Sequence, residues 1–288
     1  MNNIKNQPLI SVLMGVYNAQ DCVLDSINSL LCQSYKNVEI IVVNDGSSDN
    51  TKAMLDSVVD HRVKVIHQEN KGLTKSLNTA LTQSNGEYIA RQDADDISLY
   101  NRFETQIEQL LENKDVRAIG SSTYLTNQYG IVNELYHYPQ NYKQIQTAMP
   151  HYNPFVHGSM LIERRALESV NGYDEEFRFV QDYELWSRMY KTFEMVNVKR
   201  PLYVRFRGKN CSEVTQDKSK YVHKIQERIR EYACNESEED FAEIYAQSIY
   251  PIISNMKDLS QTYKLMKTHC SAKKTKAKYT FLSKLYAF

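Results

Sequence analysis

The sequence predicts an α/β fold: a mostly parallel central sheet flanked by helices, followed by a helical C-terminal extension. Three observations predict it. Short apolar runs rich in β-branched residues alternate with helical stripes through the first hundred residues, the pattern of right-handed βαβ units. Three polar turns directly follow predicted strands. Beyond about Gln216 the chain becomes helical and strongly charged, with no further strand pattern.

The elements follow in order. Leu9 to Val16 carries no charge and reads as a buried strand. Val23, Ile27, Leu30 and Leu31 form the stripe of an amphipathic helix. Val38 to Val43 is a second strand. The turn Asn44-Asp45-Gly46-Ser47-Ser48-Asp49 precedes a helix from Thr51. Val63 to Ile66 is a third strand, and Gly72 to Leu81 a helix with Leu73, Leu77 and Leu81 on one face. Tyr88 to Ala90 leads a fourth strand into an aspartate cluster. After Leu99 the pattern loosens. A helix is expected over Arg102 to Leu111, strands near Ala118 to Leu125 and Ser159 to Ile162, and a helix from about Asp182 carrying Leu185, Trp186 and Met189.

In parallel sheets of this kind ligands sit at the carboxyl ends of the strands. Tyr17-Asn18, Asp45-Gly46 and Asp93 to Asp96 all fall there, so three polar clusters distant in sequence are expected on one sheet edge.

Composition narrows the function. Lys+Arg 35 against Asp+Glu 35 leaves no net charge, so the basic footprint of a nucleic-acid-binding protein is absent. The five cysteines are odd in number and form no CxxC pair, which argues against a disulfide framework or a zinc ribbon and for a reducing compartment. Met1 to Pro8 lacks the apolar core of a secretory signal, and no apolar run is long enough to span a bilayer. A cytoplasmic location is expected.

The chemistry concentrates in Arg91-Gln92-Asp93-Ala94-Asp95-Asp96. Three carboxylates in four positions repel and raise one another's pKa. A divalent cation reverses that cost. Mg²⁺ and Mn²⁺ prefer oxygen, and Mg²⁺ is commonly held by one or two carboxylates plus substrate phosphates. A turn or helix N-cap is the competing explanation; the position beside two other polar turns favours a metal–diphosphate site.

With these residues in view, the chain resembles family 2 glycosyltransferases, which have the GT-A fold. The matching segments are Ile10 to Asn18, Ile41 to Thr51, Asn70-Lys71-Gly72-Leu73, Leu77 to Ala80, Gly86 to Ala90 with the Asp93 to Asp96 cluster and Arg102 beyond, and Gln181 to Trp186. They occur in order over roughly residues 8 to 212. The resemblance implies a GT-A domain over 1–215, with a nucleotide-binding half to about 98 and an acceptor half over 99–215. The helical extension would cover 216–288. It implies that Val16, Tyr17, Asn18, Asp45 and Lys71 hold the nucleotide, commonly a uridine one, and that Asp93 contacts the ribose. Asp95 would be the principal metal ligand, Asp96 its support, and Asp182 the catalytic base of an inverting transfer. His157, Gly158, Ser159 and Trp186 fall where the family lines the acceptor side, although for Trp186 and a lone histidine a core role competes. Asp182 also competes with an N-cap reading, Asp45 with a plain turn residue, and Arg102 with a solvated helix charge.

Chemistry agrees with these roles. The acceptor hydroxyl must lose a proton, which a nearby carboxylate can take. The departing nucleoside diphosphate develops charge that Mn²⁺ or Mg²⁺ stabilises. The expected function is transfer of a hexose or N-acetylhexosamine from a UDP-sugar donor to a glycan or lipid-linked glycan acceptor in capsule, lipopolysaccharide or similar biosynthesis. Two departures stand out. Gly15 replaces a proline common in the family, and Arg207 stands where many relatives have histidine near the diphosphate. Arginine pairs with phosphate bidentately, so Arg207 is expected to bind the diphosphate while the metal takes water.

The last stretch holds Lys264, Lys267, Lys273, Lys274, Lys276, Lys278 and Lys284 among Tyr279, Phe281, Leu282, Leu285, Tyr286 and Phe288. Such a segment suits peripheral contact with an anionic membrane as well as packing on the core or a partner. Two rival classes remain at this point. A nucleotidyltransferase making nucleotide-sugars usually carries a glycine-rich basic loop, which Gly15-Val16-Tyr17-Asn18 is not. A non-catalytic nucleotide-sugar or glycan-binding module would need no base. A Rossmann dehydrogenase is disfavoured because no GxGxxG follows the first strand.

Overall fold

The computed structural model describes residues 7–127, 129–206, 218–230 and 249–251, with the single positions 261, 264 and 266. Among the described residues ten strands form one sheet, and helices cover both faces. Strands β1 (Ile10–Val16), β2 (Val38–Asp45), β3 (Val63–Gln68) and β4 (Tyr88–Arg91) lie parallel in the order β3-β2-β1-β4. Between them run α1 (Val23–Leu31), α2 (Thr51–Asp56) and α3 (Leu73–Thr82). This is the predicted βαβ half, and its parallel strands send their carboxyl ends to one edge.

Antiparallel strands extend the other side. After β5 (Ile97–Ser98) and α4 (Arg102–Glu112) come β6 (Val116–Thr126), β7 (Val132–Tyr136) and α5 (Tyr142–Ala148). A 3₁₀ turn (His157–Ser159), β8 (Leu161–Glu163) and α6 (Arg164–Ser169) follow, then α7 (Gln181–Met189), β9 (Glu194–Arg205), α8 (Ser219–Arg230) and β10 (Ile249–Pro251). β8 joins β4 and β6 antiparallel, β7 joins β6 and β10 antiparallel, and β9 runs parallel to β6 along most of its length while pairing β5 antiparallel.

Strand alternation explains the two cores. Ile10, Val12 and Met14 face a cluster built with Val23, Ile27 and Leu30 of α1, Leu55 of α2 and Phe103 and Ile107 of α4. Leu13, Ile41 and Val43 face the other cluster, with Leu77 and Ala80 of α3, Leu167 of α6, Leu185 and Trp186 of α7 and Ile225 of α8. Each fully buried aliphatic side chain contributes about 1.5–3 kcal/mol, so the two layers are what hold the strand ends in register.

Several elements differ from expectation. The strand expected from Ser159 begins only at Leu161, because His157–Ser159 form the 3₁₀ turn. β9 was not anticipated: Lys199-Arg200-Pro201 break its apolar pattern, and its register against β6 shifts at Pro201. The charged tail was expected to hold no strand, yet β10 pairs with β7. Met266 is buried against Ile97, Leu99 and Val204 in a third cluster. Lys264 is described and exposed, whereas the remaining tail residues named above, and Arg207, lie outside the described residues. Among the described residues, no helix is long and apolar enough to cross a membrane.

Candidate active site

The ends of β1, β2 and β4 open into a cleft of about 200 Å³ lined by Gly15, Val16, Tyr17, Asn18, Asp45, Arg91, Asp93 and Asp95, with Cys22, Leu73 and Ser76 completing the wall. The three polar turns that sequence reasoning set on one edge therefore meet there.

The first two turns are stitched together by side chains chosen for turn chemistry. Asn18 takes a left-handed backbone conformation, φ 49°. Its N–H donates to Ser47 Oγ at 3.0 Å, and its Oδ1 accepts from Ser48 N–H at 2.8 Å. Asp49 accepts from Gln20 N–H and from Thr51 N–H at the start of α2. Asp45, buried at the end of β2, accepts from Lys71 N–H at 2.9 Å, Gly72 N–H at 2.8 Å and Gln68 Nε2 at 2.7 Å. It thus anchors the amino end of α3. A carboxylate has about four acceptor directions, so roughly one remains for a ligand. Lys71 approaches through its backbone, and its side chain is exposed.

The aspartate cluster is held from behind. Asp93 Oδ1 pairs with Arg91 Nη2 at 2.7 Å, and Asp93 N–H donates to Tyr203 Oη at 3.1 Å. Asp96 is buried, and its Oδ1 accepts from Phe206 N–H at 2.9 Å. Burial first, then the charges of Asp95 and Asp93, push the Asp96 carboxyl well above the ordinary range. Arg205 of β9 lies close enough that the Asp96 charge acts on it. Gly158 fits against this loop because it has no side chain: an added Cβ would come within 2.1 Å of Tyr203 Oη and 2.7 Å of Asp93 Oδ2.

The cluster fits a divalent cation by its donor set. Two adjacent carboxylates, Asp95 on the cleft wall and Asp96 beneath it, crowd like charge that a cation would relieve. Among the described residues, no group of three His, Cys, Asp or Glu side chains could hold an ion by themselves.

Arg102 is fully buried rather than solvated. Its guanidinium donates to Gln106 Oε1, Gln92 Oε1, Ser98 Oγ and the carbonyls of Arg91 and Met160. It ties the start of the aspartate loop to the segment before β8, and burial lowers its pKa to about 10.

Asp182 sits in the first turn of α7, preceded by Val180 at φ 54°, a conformation that costs a β-branched residue free energy. Its Oδ2 accepts from Asn153 Nδ2 at 2.7 Å. Burial is the main cause of its raised pKa, outweighing hydrogen bonds from Tyr183 and Asn153, and the charge of Asp93 adds to it. Asp182 is therefore within electrostatic reach of the aspartate cluster. Beside them His157 Nε2 meets Tyr173 Oη at 2.8 Å. Burial, then the Arg91 charge, depress the His157 pKa and keep it neutral. Ser159 and Trp186 are both 0% exposed. Neither offers a surface for a sugar; Trp186 packs edge-on against Phe155 and His157.

Sequence reasoning did not single out Arg91, Cys22, Asn153 or Arg205. Arg91 ends an otherwise apolar strand, and that buried charge was a readable signal. Cys22 stays a thiol: burial and then Asp95 raise its pKa to about 12.

Comparisons with known proteins agree with this geometry. The profile of Glycosyl transferase family 2 matches residues 11–170, more than half of the chain. The O-antigen biosynthesis glycosyltransferase WbnJ of Escherichia coli is 33% identical over 184 residues, which are 63% of this chain and 71% of WbnJ. Among solved structures, S. aureus TarS 1-349 in complex with UDP superposes with a TM-score of 0.61 at 14% identity, covering 96% of this chain and 87% of that one. The mannosyltransferase PcManGT of Pyrobaculum calidifontis, in complex with GDP-Man and Mn²⁺, gives 0.59 at 16% identity, covering 97% and 81%. At such identities these structures speak for the fold, which is that of GT-A enzymes.

Proposed function

The chain belongs to glycosyl transferase family 2, and on that premise we propose that it transfers a hexose or N-acetylhexosamine from a UDP-sugar to a hydroxyl of a growing cell-surface glycan, with inversion and with a divalent cation. The observation that carries this reading is the convergence of Asp93 and Asp95 on the cleft wall with Asp182 within electrostatic reach. The UDP complex of TarS supports the uridine donor, and the Mn²⁺ complex of PcManGT supports the cation. The name of WbnJ supports the glycan context.

In this reading the roles are these. Val16, Tyr17, Asn18, Lys71 and the remaining acceptor direction of Asp45 hold the uracil and ribose side, with Asp93 toward the ribose. Asp95, backed by Asp96, would hold the cation, which when bound stabilises charge on the departing diphosphate. Asp182 takes the proton of the acceptor hydroxyl. Its raised pKa makes it a stronger base than an ordinary carboxylate, and Asn153 fixes its orientation. His157 and Gly158 border the acceptor, with Ser159 and Trp186 behind them. Arg207 adds a cation for the diphosphate. In this reading residues to about 98 form the nucleotide half, 99–215 the acceptor half and 216–288 an extension. The protein works in the cytoplasm, its basic aromatic tail at the inner face of the plasma membrane.

A donor panel tests the proposal: UDP-Glc, UDP-Gal, UDP-GlcNAc, UDP-GalNAc and a GDP-sugar, each with Mn²⁺ or EDTA, followed by nucleoside diphosphate release. The expected result is metal-dependent UDP release from one donor, lost in Asp95→Ala. Pyrophosphate release would indicate a nucleotidyltransferase instead. Absence of both turnover and metal-dependent UDP binding would overturn the reading.

A further inference from the structure

Two arginines are almost wholly buried beside the aspartate cluster, and the fold satisfies them differently. All three nitrogens of the Arg102 guanidinium have partners. Arg91 is 2% exposed, yet its side chain makes two hydrogen bonds: Nη2 to Asp93 Oδ1 at 2.7 Å and Nη1 to Leu13 O at a long 3.4 Å. Its Nε is buried and has no partner. A guanidinium carries five N–H donors in a planar fork, and buried donors are normally satisfied. The under-filled fork belongs to a residue of the cleft wall. Among the described residues lining that cleft, Arg91 is the one cationic side chain, set among Asp45, Asp93 and Asp95.

We propose that Arg91 binds a phosphate oxygen of the nucleoside diphosphate-sugar, exchanging its Asp93 partner for the donor and so releasing Asp93 to the ribose. This rests on the nucleotide-sugar reading of the cleft and adds to it a residue and a change of partners. Carboxylates alone repel a diphosphate. The charge of Arg91 also acts on His157 and Tyr173, so the residue is within electrostatic reach of both the aspartate loop and the proposed acceptor side. Arginine suits the task because its fork meets phosphate bidentately. Because Nε is closed to solvent in this conformation, engaging a phosphate requires the guanidinium to turn away from Asp93.

The test is calorimetric binding of uridine and of UDP, both with Mn²⁺, to the wild type, Arg91→Lys, Arg91→Met and Asp93→Asn. The readout is the ratio of UDP to uridine affinity, in which base and ribose contacts cancel. In Arg91→Met the ratio should fall roughly tenfold to a hundredfold, as for loss of a charge-assisted bidentate contact. Arg91→Lys should fall less, and Asp93→Asn should hold or raise the ratio. If Arg91→Met does not fold, Arg91→Lys decides. An unchanged ratio with UDP binding intact removes Arg91 from the donor site and leaves the nucleotide-sugar reading standing. A wild type that binds neither uridine nor UDP overturns that reading, and this assignment with it.

Discussion

Asp182 holds its proton more tightly than an ordinary carboxyl because its half-buried side chain is desolvated, and the Asp93 charge adds to this. A raised carboxyl pKa in the fold adds stability below the ordinary value of 3.8, and this is lost as pH rises through the raised value. The ionised form therefore costs stability, and on the proposed reading that form is the base. Asp182→Asn should raise Tm at pH 7, with the gain vanishing below the ordinary carboxylate pKa. It should lower kcat by about 10²–10⁴-fold and leave UDP affinity unchanged. In the wild type, kcat should fall toward acid with a limb above the ordinary carboxylate range. Full activity in Asp182→Asn would exclude the base role. The carboxylates were legible in the sequence because three in four positions demand an explanation. Asn153 was not, because it reaches Asp182 from 29 residues away and carries no motif. Arg102 was misleading for a physical reason. A charge at a helix start reads as solvated, whereas here four neutral segments supply its acceptors.

The elements that were legible are those whose pattern is local. β1, α1, β2, α3 and β4 each complete a strand run or helical stripe within ten residues. β5 is two residues long, and β9 is interrupted by charge and proline, so their pairing is written in the partner rather than in themselves. For α5 the signal existed unread: Asn141 and Gln144 form a capping box. At this scale α4 is the brace of the aspartate loop, through Arg102 and through Gln106, whose Nε2 donates to Ile119 O and Ser159 O. Arg102→Met should take a donor from the carbonyls of Arg91 and Met160, the latter keeping its bond from Arg91 N–H, and cost about 2–4 kcal/mol in urea unfolding. A loss below 0.5 kcal/mol, within the range of a surface substitution, would mean that the brace is dispensable.

Across the whole molecule, α8 is tied to the helix that carries the proposed base. Glu184 of α7 is 0% exposed and accepts from Arg188 at 2.8 and 2.7 Å and from Arg228 of α8 at 2.8 Å. Arg188 continues to the carbonyls of Val170 and Gly172, just before Tyr173. Glu184→Ala should leave two guanidinium groups without their counter-charge, cost about 3–5 kcal/mol, and speed hydrogen exchange over residues 219–230. Unchanged exchange there would show that Ile225 and Ile229, both buried in the core, hold α8 without the ion pairs.

The cleft walls come from β1, β2 and β4, which meet only through registers such as Gly15↔Val43 and Leu13↔Arg91. No pair of these strands owns the whole cleft, so an incompletely assembled chain has no complete place for a nucleotide. A ligand that recognises only the finished sheet withdraws folded molecules from the unfolding equilibrium, by about 2.7 kcal/mol at a hundredfold excess over its Kd. On the proposed reading a nucleotide-sugar donor is such a ligand, so its supply would also be a folding aid and its removal would leave the chain more open to proteolysis.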